Sequence, residues 1–287
     1  MSRETDLVAI VSPPHNLASS RSTYANMVDY CQENRIEYVE SGDVNSDETF
    51  KKLLVLQPDM FFQTGWHSKI SKRLLEHAAY GFWSIHPSVL PVGRGGAVLN
   101  WALVNGEKEW GVTLLRLDEG LDSGDILGRA LFEIDKNDYI KDVYVKADKA
   151  AFGLLSSKMK VWLASDKLLE KQDEKLVTVF PRRTKKDGKI DWMASAESIC
   201  RLVKAVSEPF HGAYSYLLNG IEVTVWRAYE LNDDEDLESE IGAIRFSDQE
   251  NILVVKAGKG LVCLESFSVG AVDKSPVSVL NNERFKC

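Results

Sequence analysis

The run Phe82-Trp83-Ser84-Ile85-His86 sets a hydroxyl and an imidazole two residues apart in an otherwise apolar segment. Such a segment reads as a short buried strand, and residues two apart on a strand share a face. Pro87, Pro91, Gly93, Gly95 and Gly96 follow at once and break the strand into a loop. A histidine at the end of a buried strand, beside a glycine-rich loop, lies where α/β proteins keep catalytic groups. A second loop, Gly120-Leu121-Asp122-Ser123-Gly124-Asp125, brackets a carboxylate with glycines. Asp122 could pair with His86 and hold it as a proton acceptor or as an imidazolium. Each segment alone also has a plain structural reading. A lone histidine is more often a packing residue, and Asp-Ser-Gly-Asp is an ordinary turn.

The elements that must position these groups follow from periodicity. Short apolar runs at Leu7–Val11, Ile36–Val39 and Met60–Phe62 read as strands. Ser20–Asn34, Asp47 onward and Lys69–Ala79 read as the helices between them, with Phe50, Leu53, Leu54 and Gln57 inward on the second. This alternation predicts a parallel sheet wrapped by helices. Leu99–Val104 reads as a helix, Gly111–Leu117 as a strand and Leu131–Ile134 as an edge strand. A long amphipathic helix is expected from about Asp138 to Ala164, packing Tyr144, Ala147, Ala151, Leu155, Met159 and Trp162. Lys171–Lys175 reads as the start of a linker, Pro181–Gly188 as a basic turn and Ser195–Ser207 as a helix. Beyond Pro209 the pattern is β: Asn219-Gly220 marks a hairpin between Ala213–Leu218 and Glu222–Tyr229. Asp233–Glu240 reads as a solvated acidic loop, and Ala243–Phe246, Ile252–Val255 and Leu261–Phe267 complete a small barrel.

Composition narrows the class. The 287 residues suffice for two domains, and 44% hydrophobic with 27% charged residues is ordinary for a soluble protein. No apolar window is long enough to span a membrane, and the start has no signal-peptide core. Cys31, Cys200, Cys263 and Cys287 are scattered with no Cys-x-x-Cys pair. Neither a metal site nor a disulfide framework is indicated, and a reducing cytoplasm is the plain expectation. The net charge of −8 argues against a large nucleic-acid footprint.

The two chemistry-bearing segments together resemble the folate-dependent formyltransferases. That family carries Asn-x-His-x-Ser-Leu-Leu-Pro, then Arg-Gly, Gly-Val-Thr and Leu-Asp-x-Gly-Asp. Here His86, Ser88, Leu90, Pro91, Arg94, Gly95, Gly111, Val112, Thr113, Leu121, Asp122, Gly124 and Asp125 match. The resemblance implies that His86 and Asp122 belong to an Asn-His-Asp triad in which Ser84 stands at the asparagine position. Thr64–Ile70 is similar to the loop lining the folate pocket. This implies that Gly65, Trp66, His67 and Ile70, with Asp118 and Gly120, bind N10-formyltetrahydrofolate. Ser88, Arg94, Gly95, Asn100, Arg182 and Arg183 are the expected acceptor contacts, the last two on a diphosphate, although a solvated basic turn explains Arg182 and Arg183 equally well. The implied fold is α/β: a Rossmann-like, mostly parallel sheet over residues 1–180, lacking the family's first strand, with a linker and helix over 181–210 and an OB-like β-barrel over 211–287.

Val98-Leu99-Asn100-Trp101-Ala102-Leu103-Val104-Asn105-Gly106-Glu107 is similar to the amino-sugar branch, such as the UDP-4-amino-4-deoxy-L-arabinose formyltransferase domain. The expected activity is therefore N-formylation of a UDP- or dTDP-linked amino sugar, with a homodimer left open. Methionyl-tRNA formyltransferase and a catalytically impaired folate or nucleotide-sugar binding homologue are the alternatives. In the implied reaction His86, oriented by Asp122, takes a proton from the attacking amine, and Ser84 offers a shorter oxyanion donor than an asparagine. That substitution predicts a slow enzyme unless water or a backbone N–H takes its place.

Overall fold

A computed structural model describes residues 6–16, 25–66, 68–162, 168–231, 240–247, 252–270, 280 and 283–287. The chain forms two compact units. The first comprises Met1–Gly95, Glu109–Phe132 and Lys146–Phe180; the second comprises Gly96–Lys108, Glu133–Val145 and Pro181–Cys287.

In the first unit, strand β1 (Ala9–Ser12) is followed by helix α1 (Val28–Asn34) and by β2 (Glu37–Glu40), which pairs with β1 in parallel. Helix α2 (Asp47–Leu56) begins where Ser46 accepts the Thr49 N–H at 3.2 Å, with Asp47 and Glu48 favourably placed in its first turn. It ends at Gln57, whose left-handed φ of 45° precedes Pro58. Phe50 and Leu53 face inward, whereas Leu54 and Gln57, both expected on that side, are exposed. The left-handed cap turns Gln57 off the helix face, and Leu54 lies one residue, about 100°, round from Leu53.

Strand β3 (Phe61–Gln63) and the single turn α3 (Lys72–Leu75) lead into β4 (Phe82–His86). The α3 helix is shorter than the Lys69–Ala79 span expected, because the chain tightens after Leu75, where the His77 N–H bonds Leu74 O. A two-residue strand β5 (Arg94–Gly95) follows, and α4 (Val98–Asn105) precedes β6 (Glu109–Arg116) and β7 (Ile126–Glu133). The sheet order is β3-β4-β6-β7, parallel at β3–β4 and antiparallel at β4–β6. β7 is an edge strand as expected, and begins earlier than Leu131. The parallel β1–β2 ladder is separate from this sheet among the described residues. Val11, Phe61 and Phe82 nevertheless share one apolar cluster with Phe50, Leu53, Ile70 and Leu74. β4 is buried along nearly its whole length, which is why it reads as a continuous apolar run interrupted only by Ser84 and His86.

Helix α5 (Ile140–Trp162) buries Ile140, Val143, Ala147 and Leu154, so its packed stripe is offset from the one expected. Tyr144, Ala151 and Leu155 are half-buried at its margin, and the Met159 and Trp162 side chains lie outside the described ones. Lys171–Lys175 is not a linker. Glu170 and Ile126 exchange two main-chain hydrogen bonds at 2.8 Å, Gln172 is bonded to both site loops, and β8 (Val179–Phe180) pairs with β5 in parallel.

In the second unit α4 packs with α6 (Ala196–Val206), whose Ile199, Val203 and Val206 are buried. Five strands, β9 (Ala213–Tyr216), β10 (Glu222–Leu231), β11 (Ile244–Ser247), β12 (Ile252–Lys256) and β13 (Leu261–Val269), form one antiparallel sheet in the order β11-β12-β13-β10-β9. Register shifts between β10 and β13 around Arg227 curl it towards a half-barrel. The hairpin at Asn219-Gly220 is present. Of the acidic run, 233–239 lies outside the described residues. No described helix is long and apolar enough to cross a membrane.

Candidate active site

His86 ends β4, opposite Thr113 on β6. Its Nε2–H donates to the Gly93 carbonyl at 2.8 Å, and its Nδ1 lies 3.7 Å from Asp122 Oδ2. A carbonyl only accepts, so the proton of the neutral ring sits on Nε2 and the lone pair on Nδ1, facing the carboxylate. The Gly93 carbonyl is held there by its loop. Thr113 Oγ1 donates to Ser88 O at 2.6 Å and accepts the Leu90 N–H at 3.1 Å, while the Trp110 indole N–H binds Pro87 O at 2.9 Å.

Asp122 is fixed from three directions. Its Oδ2 accepts the Gly95 N–H at 2.9 Å, its own φ is 49°, and Gln172 donates to its carbonyl at 2.7 Å. Gly95 must be glycine: its φ is 102° and a Cβ would stand 2.3 Å from Phe180 O. At Gly124 a Cβ would lie 1.7 Å from Arg116 O, so the carboxylate loop presses against the end of β6 with no room for a side chain. Asp118 closes the same loop by accepting from Gly120 N at 2.9 Å and Ser123 Oγ at 2.7 Å.

The first unit thus brings together Ser84, His86, Gly95 and Asp122, with Asp118 and Gly120 in the carboxylate loop. Ser88 is fully buried in the loop after His86, its hydroxyl without a partner among the described residues. Arg94 is also buried, its guanidinium taken up by Gln172 Oε1 at 2.9 Å and Glu174 Oε1 at 2.7 Å. Gln172 had no sequence signal, lying in a polar stretch without periodicity, yet it links the Arg94 and Asp122 loops. Gly65 (φ 67°) opens the loop after β3, and Trp66 and Ile70 pack on the α2 cluster. His67 lies outside the described residues.

Asn100, Arg182 and Arg183 belong to the second unit. Asn100 is buried and its Nδ2 donates to Ala205 O at 2.6 Å, fastening α4 to α6. Arg183 stacks over the Trp101 ring at 4.5 Å and donates to Asp187 O. Burial pulls its guanidinium below the usual arginine value, with Asp187 opposing that shift. Arg182 lies against Gly96, its Cγ 2.6 Å from where a Cβ would stand.

An imidazole whose Nδ1 lone pair faces a carboxylate, held by backbone at the carboxyl end of a strand, can accept a proton and have the resulting charge balanced. A family model described as formyl transferase matches residues 2–158, and a model described as formyl transferase, C-terminal domain, matches residues 182–283. The chain belongs to the formyl transferase family.

Solved structures of similar fold include formyl transferases with different acceptors. HypX from Aquifex aeolicus, in complex with tetrahydrofolic acid, is 24% identical with a TM-score of 0.63, covering 83% of this chain and 41% of that one. This chain therefore spans less than half the length of HypX. WlaRD, a sugar 3N-formyl transferase in the presence of dTDP and 5-N-formyl-THF, is 19% identical with a TM-score of 0.61, over 89% of this chain and 86% of that one. Methionyl-tRNA formyltransferase from Clostridium thermocellum is 20% identical with a TM-score of 0.60, over 78% and 93%. At these identities the likeness establishes the shared formyl transferase fold.

Proposed function

We propose that this chain transfers a formyl group from N10-formyltetrahydrofolate to the amine of a UDP- or dTDP-linked amino sugar, in a reducing cytoplasm. The observation that carries the chemistry is the orientation of His86, whose Nε2–H is committed to Gly93 O while Nδ1 faces Asp122 at 3.7 Å. A folate fits the residues at the end of β3, where Gln63 Oε1 and Trp66 Nε1 are buried without partners among the described residues. Gly65, Trp66 and Ile70 would hold it, together with Asp118 and Gly120. When bound, it supplies an electrophilic formyl carbon.

The rest of the chemistry is done by the chain's own side chains. His86 Nδ1 takes the proton that the amine sheds on attack, and the ring becomes an imidazolium with N–H groups on both sides. One remains on Gly93 O and the other faces the Asp122 carboxylate, which balances the new charge. Asp122 cannot drift away, since Gly95 N–H and Gln172 hold its carboxylate and its main chain. In the second unit, Arg183 on Trp101 offers a half-buried cation for a diphosphate. The net charge of −8 favours a small anionic acceptor less than a neutral one, but it disfavours tRNA far more strongly.

The deciding experiment offers the enzyme N10-formyltetrahydrofolate with a panel of UDP- and dTDP-linked amino sugars and, separately, methionyl initiator tRNA. Mass spectrometry then reads one added carbonyl. Formylation of a sugar supports the proposal. Formylation of the tRNA alone replaces the acceptor, and binding of folate with no transfer to any acceptor leaves a binding homologue.

A further inference from the structure

The asparagine carboxamide that Ser84 lacks has a counterpart on the neighbouring strand. β3 and β4 run parallel with Gln63 directly opposite Ser84. Residues in register on adjacent strands project from the same face, and strands lie about 4.7–4.9 Å apart. His86, two residues beyond Ser84, shares that face as well. Gln63, Ser84 and His86 therefore cluster at the carboxyl ends of adjacent strands, the region where open α/β sheets bind their ligands.

Gln63 is the one polar residue in β3, after Phe61 and Phe62. Its side chain leans across to β4, with Nε2 3.5 Å from Ser84 Oγ. That contact is long for a hydrogen bond. Oε1 is shielded from solvent and has no partner among the described residues. Ser84 is engaged as weakly, its hydroxyl donating to Ile85 O at 3.4 Å. A carboxamide can make four hydrogen bonds. Among the described residues this half-buried carboxamide makes one weak contact, through Nε2, and the second N–H of that nitrogen is left to donate. A serine hydroxyl is too short to place a donor where the N–H of an asparagine at 84 would lie. A glutamine one strand away has the extra length to reach the same space.

We propose that the Gln63 carboxamide donates to the formyl oxygen during transfer, with Ser84 Oγ steering it, so that the donor comes from β3 instead of β4. Bond making is unchanged: the amine nitrogen bonds the formyl carbon, His86 takes the amine proton, and a proton is returned from the imidazolium to N10 as the N10–carbon bond breaks. Gln63 gains and loses no atoms and serves only to hold the oxygen's developing charge. The inference rests on the formyl-transfer reading above.

The test uses N10-formyltetrahydrofolate carrying a 13C formyl carbonyl, with no acceptor present, bound to the full chain. Titration gives its affinity, and difference infrared spectroscopy reads the bound carbonyl stretch. In the wild type the stretch falls below its value in free solution, and in Gln63→Leu that lowering disappears. With the acceptor present, kcat for Gln63→Leu falls about 10²–10³-fold, the usual loss of one oxyanion donor. Adding Ser84→Asn to Gln63→Leu restores a carboxamide from β4 and recovers the rate. If Gln63→Leu does not fold, the isosteric Gln63→Glu replaces it, with the same lost lowering expected. A wild-type carbonyl stretch and kcat in either folded variant overturn the assignment of Gln63 while leaving formyl transfer intact. Failure of the wild type to bind the folate at all overturns the transfer reading itself, and this inference with it.

Discussion

Gln172 donates its carboxamide N–H to the main-chain carbonyl of Asp122 at 2.7 Å, across 50 positions of sequence. The same group reaches Gly124 O at 2.8 Å, and its Oε1 accepts from Arg94 at 2.9 Å. One side chain therefore sets the height of the carboxylate loop against the loop that carries Gly95. Gln172→Leu should leave two loop carbonyls and the Arg94 fork short of partners, at about 1–3 kcal/mol for each buried group. The expected result is a lower denaturation midpoint together with a fall in kcat. A variant with wild-type kcat would show that Asp122 keeps its position without this tie.

His86→Ala removes the base and should lower kcat by about 10²–10⁴-fold. It also strands the Gly93 carbonyl, so a modest loss of stability accompanies it without loss of the fold, readable by circular dichroism. Undiminished turnover in a folded His86→Ala protein would eliminate the mechanism.

Gly95→Ala forces a Cβ to within 2.3 Å of Phe180 O at a φ of 102°. Strain of this kind costs about 1–3 kcal/mol. Because Gly95 N–H also holds Asp122 Oδ2, the loss should appear in urea unfolding and in kcat together. An alanine variant that is stable but slow would place the effect in the site alone.

Arg183→Met keeps the apolar stem on Trp101 and removes the cation. If Arg183 grips a diphosphate, KM for the nucleotide sugar rises and kcat holds, because the lost contact is made equally in the ground and transition states. A proportional fall in kcat with unchanged KM would instead point to disturbance of the transition state.

Acid should weaken the second unit slightly through Glu222. Its hydrogen bond from Lys185, opposed by burial and aided by Tyr216, holds its carboxyl below the ordinary value of 4.5. A depressed carboxyl contributes stability above that ordinary value and loses it as pH falls through the lowered one. The pair is largely exposed, so the step is worth about 0.2–1 kcal/mol. Denaturant midpoints measured from pH 6 to pH 3, where glutamates protonate, should show that step in the wild type and not in Glu222→Gln.

Much of this protein was set by its sequence alone. The alternation of short apolar runs and helices, the Asn219-Gly220 hairpin and the Ser195–Ser207 helix are local consequences of side-chain period and turn chemistry. His86 and Asp122 stood out as candidates only when their two segments were taken together, since each alone is an ordinary strand end or turn. Tertiary structure alone decided which nitrogen of His86 is free, since that depends on Gly93 O arriving 2.8 Å from Nε2. It alone turned Lys171–Lys175 from an apparent linker into the strap that bears Gln172, and it alone set Gln63 opposite Ser84. Those facts rest on strand register and on loops meeting from distant parts of the chain. A polar residue's long-range partner leaves no period in the sequence, because hydrogen bonds are satisfied by position in space, where neighbours along the chain carry no information about them.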